Sequence, residues 1–409
     1  MRPQTSRQSS QILVALALCM ALGLTGFAMF VPLFALRFDS FGAGVKALGA
    51  SDMAYALTFA LAAPFIGMLA DRCGRRPILL LSLAGYLLVF SGYLAAAAAW
   101  PLILLRGLAG IFAAALLPGM TTIVGDLAPE DRRGQWIGIV NGGAAVGFII
   151  GPLLGGLLYD RFGYVVPSAI SMAMATAALL LAVFRIPETY TPAARPRHLR
   201  SAWMLEWRAL PARSTFLLLM LITFGVMFAY AFVQPRFMFY AYDDLSWTSS
   251  QLGLVMSVYG VAFMLGAFAL GQLSDRLGRK PVLVLGLALF SAQFVGLVIF
   301  RDLTWIVASF VVAGLGNALY DPALSAIILD ITPSEQTAGM MGLKATAGSL
   351  GSMLGPALVV LFTSLVGPRI VFLLAAALVI VLALASAFAL RAPQRKQVPA
   401  HVSNAAVSR

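Results

Sequence analysis

The chain matches itself when shifted by 204 residues. Gly67, Asp71, Arg72, Gly74, Arg75 and Pro77 return as Gly271, Asp275, Arg276, Gly278, Arg279 and Pro281. The register continues without a gap through Pro118 and Pro322, Asp126 and Asp330, Gly147 and Gly351, Gly151 and Gly355, to Pro152 and Pro356. One such turn could arise by chance, but a gap-free repeat at half the chain length is the trace of a duplication. The fold must therefore be two related halves.

Hydropathy says what each half is made of. With 61% hydrophobic residues, 11% charged residues and a mean hydropathy of +0.92, the chain belongs to the membrane class rather than the soluble one. A spanning helix needs about 20 mostly apolar residues. Segments of that kind fall near 12–36, 48–70, 78–97, 102–125, 134–158, 164–185, 214–238, 249–270, 282–300, 303–329, 338–362 and 369–390. The runs are long and do not alternate over segments of about 10 residues, so they argue for helices rather than an outer-membrane barrel. The first run has no convincing small-residue cleavage site and reads as a retained helix. The expected fold is an all-α membrane protein of twelve transmembrane helices in two pseudo-symmetric six-helix bundles, 12–185 and 214–390. Around them lie an N-terminus (1–11), a linker (186–213) and a tail (391–409).

The formal charge of +12 would suggest nucleic acid in a soluble protein. Here the placement of the 28 Lys and Arg decides instead. With both termini on one side, 21 fall in the termini, connections and helix ends of that side, six (Arg37, Lys46, Arg161, Arg236, Arg301, Arg369) fall on the other, and Arg106 lies inside a helix. Both termini are expected in the cytoplasm, the protein in the inner membrane, and no nucleic acid among its partners. Cys19 in the first helix and Cys73 in a turn suggest no disulfide. His198 and His401 sit in charged segments without companion ligands, so no metal or haem is expected. There is no phosphate-binding glycine loop, nucleotide motif or triad, which argues against an enzyme or a cofactor and for energy from an ion gradient. The linker's Trp203, Leu205 and Trp207 beside arginines suit either a short interfacial helix or a solvated connection.

The turn Asp71, Arg72, Arg75, Arg76 cannot enter hydrocarbon. It can form a charge network with Asp126 that latches one conformation, or simply hold a loop inside. The duplicate set is Asp275, Arg276 and Arg279, and recurrence of the acid favours the latch. Gly143, Gly147, Gly151 and Gly155, spaced by four, lie on one helix face and admit a neighbouring helix closely, while Pro152 removes a backbone donor. Arg106 lies a few residues into the fourth helix and either snorkels to the interface or works inside the membrane; its repeat partner is Phe310. Asp321, opposite Leu117 in the repeat, is either a proton carrier or a structural partner of Lys344. A cavity between the halves would draw on Phe27, Phe30 and Phe34 of the first helix, Tyr230, Phe232, Gln234 and Phe237 of the seventh, and Asn317 of the tenth. Such a lining suits lipophilic or amphipathic substrates, cations among them.

GMLADRCGRRP resembles the cytoplasmic signature of the major facilitator superfamily. Arg106-Gly107-Leu108-Ala109-Gly110 with 126–134 resembles that family's fourth-helix motif and following loop. Gly143, Gly147, Gly151, Pro152, Gly155 and Gly156 resemble the antiporter motif of its twelve-helix drug:proton antiporters. The resemblance implies a secondary transporter that works by alternating access, a proton-coupling role for Arg106, and a hinge or proton seal at Gly147, Gly151 and Pro152. The expected activity is proton-driven export of small lipophilic compounds by a monomer, with small molecules, protons and the lipid bilayer as partners. A symporter or facilitator for one metabolite, and a non-transporting receptor or scaffold, are the alternatives. Asp321 in the tenth helix departs from the family's common pattern, and the first helix has no acid in its apolar core, which leaves the coupling acid open.

Overall fold

The computed structural model describes residues 6–189, 213–271, 273–332, 336–362 and 366–390. Among them every regular element is helical. Twelve segments are long and apolar enough to cross a membrane: α1 Ser10–Ser40, α2 Gly44–Ala70, α3 Arg75–Ala95, α4 Ala99–Leu127, α5 Glu130–Phe162, α6 Val165–Arg185, α7 Ser214–Asp244, α8 Ser249–Leu270, α9 Arg279–Ile299, α10 Leu303–Ile331, α11 Gly339–Phe362 and α12 Pro368–Ala389. In hydrocarbon each backbone donor must be satisfied within its own segment, which is why these runs fold as helices. The expected interfacial helix at Trp203 to Trp207 and the tail after Leu390 lie outside the described residues.

Two segments are broken where the sequence reading drew one continuous helix. In α1 the helical ladder stops at Met29, passes through a turn at Phe30 to Pro32, and resumes at Leu33–Ser40. Pro32 carries no N–H to continue the ladder. In α9 the break falls at Ser291, whose Oγ donates to the Ala288 carbonyl at 2.7 Å. That local bond competes with the helical one.

The duplication is visible in the packing. In the first half α1 packs on α5 and α6, α2 on α4, and α3 on α4 and α6. The second half repeats this as α7 on α11 and α12, α8 on α10, and α9 on α10 and α12. The α1–α5 contact is close because Gly143, Gly147, Gly151 and Gly155 present no Cβ to the backbone of α1: an added carbon at Gly143 would meet the Ala17 carbonyl and one at Gly155 the Met29 carbonyl. Gly351 and Gly355 meet Phe228 and Phe232 of α7 in the same way. The turns before α3 and α9 are equivalent too. Gly74 and Gly278 adopt φ of 100° and 90°, open to glycine and strained for any L side chain, so the duplicated glycines are required by the turn.

The halves meet through α2 with α11 and α5 with α8, the two equivalent pairs across the pseudo-two-fold axis. Their contacts gather at the end opposite Gly74 and Gly278. There the Asp160 carboxylate accepts from the backbone N–H groups of Ser249 at 3.0 Å and Ser250 at 2.8 Å, capping α8 from the other half. The Tyr242 hydroxyl donates to the Pro32 carbonyl at 2.7 Å, and Gly49 packs on Pro356 and Val360. Towards the Gly74 end, Gly67 of α2, Gly138 and Gly142 of α5 and Gly342 of α11 have open space where a Cβ would stand. The halves are joined at one end and diverge at the other.

Candidate functional site

Between the halves lies a cavity of about 920 Å³, reaching from Arg106 in one half to Lys344 in the other. Of the expected lining residues, Phe27, Tyr230, Gln234 and Phe237 are present. Phe30 is not. On α1 the cavity face carries Phe27, Ala28 and Val31, whereas Phe30 turns to the opposite side and packs in an aromatic cluster with Phe34, Phe90, Tyr93 and Tyr164. Asn317 is not a lining residue either: its amide donates to the Tyr259 hydroxyl at 2.9 Å, and it is Tyr259 that reaches the cavity. Phe232, likewise, stacks on Phe228.

Arg106 is buried, with 5% of its surface exposed, so it does not snorkel. Its partner is one that the sequence reading did not single out. Asp52 of α2 accepts from Nη2 of Arg106 at 2.9 Å, with side chains 12% and 6% exposed respectively. The contact exists because α2 and α4 touch just beyond it: Thr58 Oγ1 donates to the Gly107 carbonyl at 2.6 Å, and Gly110 lies against the backbone of Tyr55. The guanidinium sits over the rings of Phe34 at 4.6 Å, Tyr55 at 4.8 Å and Phe27 at 5.2 Å. Such ring faces attract a cation without neutralising it. Oδ2 of Asp52 and Nε and Nη1 of Arg106 are buried without a hydrogen-bond partner among the described residues. A buried carboxylate that uses one oxygen on a permanent cation and keeps the other unengaged has a place to take up a proton. The signal available in the sequence was an acid inside the boundaries of a spanning segment, three residues before Tyr55 on the same helix face.

Asp321 pairs with Lys344, as one of its two readings anticipated. Nζ of Lys344 donates to Oδ1 of Asp321 at 2.7 Å and to Oγ of Ser325 at 2.6 Å, and the Ser325 hydroxyl donates to the Asp321 carbonyl at 2.8 Å. Both charged residues line the cavity.

At the diverging end, each half carries the same ion pair. Arg75 pairs with Asp126 and donates to the Thr122 carbonyl at 3.0 Å. Arg279 pairs with Asp330 and donates to the Ala326 carbonyl at 2.5 Å. All three positions are related by 204 residues. The first half adds the start of the linker: Glu188 accepts from the Arg75 backbone N–H at 3.1 Å and the Thr189 hydroxyl donates to Asp126 at 2.9 Å. Arg76 donates to the Val183 carbonyl at 2.6 Å. Arg72 and Arg276 are exposed, and the side chains of Asp71 and Asp275 lie outside the described ones. Each network ties the start of one helix to the end of another within its own half.

Comparison with known proteins agrees with this geometry. The Multidrug resistance protein MdtG of Proteus mirabilis is 28% identical over 97% of this chain and 100% of its own length. The Multi-drug resistance efflux pump PmrA homolog of Lactococcus lactis subsp. lactis is 26% identical over 80% of this chain and 81% of its own. Among solved structures, the nucleoside transporter NupG superposes with a TM-score of 0.74 at 14% identity, covering 92% of this chain and 98% of that one. A bacterial homolog of the human lysosomal transporter Spinster, inward-facing and unoccupied, gives 0.72 at 18% identity over 96% and 100%. At these identities the superpositions speak for the fold alone. The family model described as Major Facilitator Superfamily matches residues 16–243 and again 237–407, once for each half of the duplication. The chain belongs to the Major Facilitator Superfamily.

Proposed function

We propose that this multi-pass membrane protein is a proton-coupled antiporter of the multidrug type, exporting small lipophilic or amphipathic compounds by alternating access. The relatives' names support the cargo class, and the aromatic surface of Phe27, Tyr55, Tyr230 and Phe237 gives such compounds a place to stack. The observation that carries the coupling is the Asp52–Arg106 pair in the cavity wall, with one carboxylate oxygen unengaged. Proton binding to Asp52 removes the charge that Arg106 faces, so the two protonation states favour different arrangements of α2 against α4. Asp321 is the second acid of the same cavity, where it pairs with Lys344.

The Lys and Arg distribution assigns the diverging end, and both termini, to the cytoplasm of the inner membrane. The cavity then admits cargo from the cytoplasm, and rocking about the α2–α11 and α5–α8 contacts releases it outside. The Arg75–Asp126 and Arg279–Asp330 pairs hold each half rigid while it moves. Gly147 and Gly151 fix α5 to α1, and the Pro152 carbonyl lies against Gly253 of α8 at the pivot. The unit of transport is the monomer.

Purified protein in proteoliposomes with an imposed proton gradient tests this. Asp52→Asn and Arg106→Ala, each correctly inserted, should lose gradient-driven dye efflux, whereas undiminished efflux in both would overturn the coupling scheme. Reversing the gradient separates antiport from symport, because the two respond in opposite directions.

A further inference from the structure

The charge pair in the second half has a shape that the coupling role leaves unexplained. Three N–H bonds are available on Lys344: one goes to Asp321 Oδ1 and one to Ser325 Oγ, which leaves one. Asp321 uses Oδ1 only, and its side chain is 47% exposed, while that of Lys344 is 14% exposed. Among the described residues, a carboxylate oxygen and an ammonium N–H thus stand side by side on the cavity wall, both uncommitted. Ser325 holds them there, because its hydroxyl is anchored to the Asp321 carbonyl one helical turn back.

We propose that this pair is a subsite for zwitterionic cargo, compounds with an ammonium and a carboxylate a few ångströms apart on an amphipathic body. The inference rests on the transport reading above. The cargo ammonium meets the free oxygen of Asp321 and its carboxylate meets the free N–H of Lys344, so the four charges close into an alternating ring. No charge is left alone when the halves close and water leaves the cavity. A cation without a carboxylate brings an unmatched positive charge to a pair that is already neutral, and an anion an unmatched negative one; an uncompensated buried charge is the unfavourable arrangement. The penalty falls on closure rather than on entry, since the open cavity is wet. Selectivity therefore appears in the transport rate more than in binding to the open state. The apolar body of the cargo rests against Tyr230, Phe237 and Phe263, which line the same cavity.

The test uses three molecules that share one aromatic body: naphthylalanine, a zwitterion; its methyl ester, a cation; and its N-acetyl derivative, an anion. Initial proton-gradient-driven rates are measured in proteoliposomes, corrected for protein-free vesicles, with ethidium as reference cargo. The wild type should move the zwitterion roughly tenfold faster than either relative, the ratio expected when a small difference in charge compensation decides closure. Lys344→Gln should raise the ester relative to the zwitterion and Asp321→Asn should raise the N-acetyl acid. The swapped pair Asp321→Lys with Lys344→Asp, which keeps both charges, should retain the preference and guards against variants that fail to fold. Rates within twofold across the three molecules, or a zwitterion preference that survives both single variants, would overturn the subsite. If ethidium moves and the zwitterion is not preferred, the subsite fails alone. If neither ethidium nor any probe moves, it fails together with the transport reading.

Discussion

Removing both members of the Asp52–Arg106 pair should cost the protein less than the sum of removing each alone. Arg106 is 5% exposed and its guanidinium cannot shed its charge, so Asp52→Ala leaves a buried cation uncompensated. Breaking a buried pair from one side destabilises by about 3–5 kcal/mol. The rings of Phe34, Tyr55 and Phe27, at 4.6, 4.8 and 5.2 Å from the guanidinium, remain in place. Each contributes roughly 0.5–2 kcal/mol while the cation is there, so in Asp52→Ala they soften the loss without replacing the anion. Arg106→Ala leaves a carboxyl that can bind a proton and become neutral, roughly 1–3 kcal/mol for an unsatisfied polar group, and it also forfeits the three ring contacts, so the two single variants should be destabilised to a similar extent. The double variant leaves neither charge behind.

The double-mutant cycle should therefore close with a coupling of about 2–3 kcal/mol, the double variant being less destabilised than the sum of the singles. Equilibrium unfolding in mixed micelles, followed through the chain's six tryptophans, measures all four corners. Additivity to within about 0.5 kcal/mol, or an Asp52→Ala protein as stable as the wild type, would refute the reasoning, because either result means the two groups do not hold each other in the membrane.

Other outcomes follow from the packing and the ends of the helices. Gly155→Ala places a methyl against the Met29 carbonyl and should destabilise by about 1–3 kcal/mol in the same unfolding assay, whereas Gly138→Ala, with open space at its Cβ, should be neutral. Asp160→Ala removes two backbone hydrogen bonds that join the halves; discounted for its exposure, this is worth about 1–2 kcal/mol, enough for a roughly tenfold shift towards separation at that end, read by thiol labelling of cysteines placed there. Arg75→Ala and Arg279→Ala should each slow transport several-fold while leaving cargo binding intact, and the reversed pair Arg279→Asp with Asp330→Arg should recover most of the rate; an unrecovered rate would assign Arg279 a role beyond the pair.

Much of the fold was legible because its two strongest determinants are one-dimensional. Apolar length sets the spans and the 204-residue repeat sets the symmetry, and neither requires knowing which way a helix faces. The site depends on rotational phase and was legible only in part. Arg106 and Asp321 stood out as charges within apolar runs, yet Asp52 lies near enough to the start of its span to resemble an interfacial residue. Its pairing across 54 positions needs the α2–α4 contact to become visible. Phe30 was placed on the cavity side because the break at Pro32 and the phase of α1 are not written in the aromatic spacing. Asn317 points where the cavity residues of α10 point, but Tyr259 of α8 stands between. Asp160 reads in sequence as an ordinary acid at a helix end, since its partners are the first amides of a helix in the other half.

The repeat also separates two kinds of charge. The Arg75–Asp126 and Arg279–Asp330 pairs obey it, and they brace the ends of helices within each half, where a rigid body needs bracing whichever way it tilts. The cavity pairs break it. Asp52 and Arg106 correspond to Met256 and Phe310, both of which line the cavity as apolar wall, and Asp321 and Lys344 correspond to Leu117 and Val140. Each half thus places one ion pair in the cavity wall, on helices 2 and 4 in the first and 10 and 11 in the second, where the repeat positions of the other half are apolar. A machine that only rocked would have no use for the asymmetry, because symmetric halves rock equally well. Two different pairs in one cavity let one change protonation state while the other meets the charge of the cargo. The first pair is the more buried and the second has the more exposed acid, an asymmetry that fits the proposed division of the proton to Asp52 and the cargo to Asp321 and Lys344.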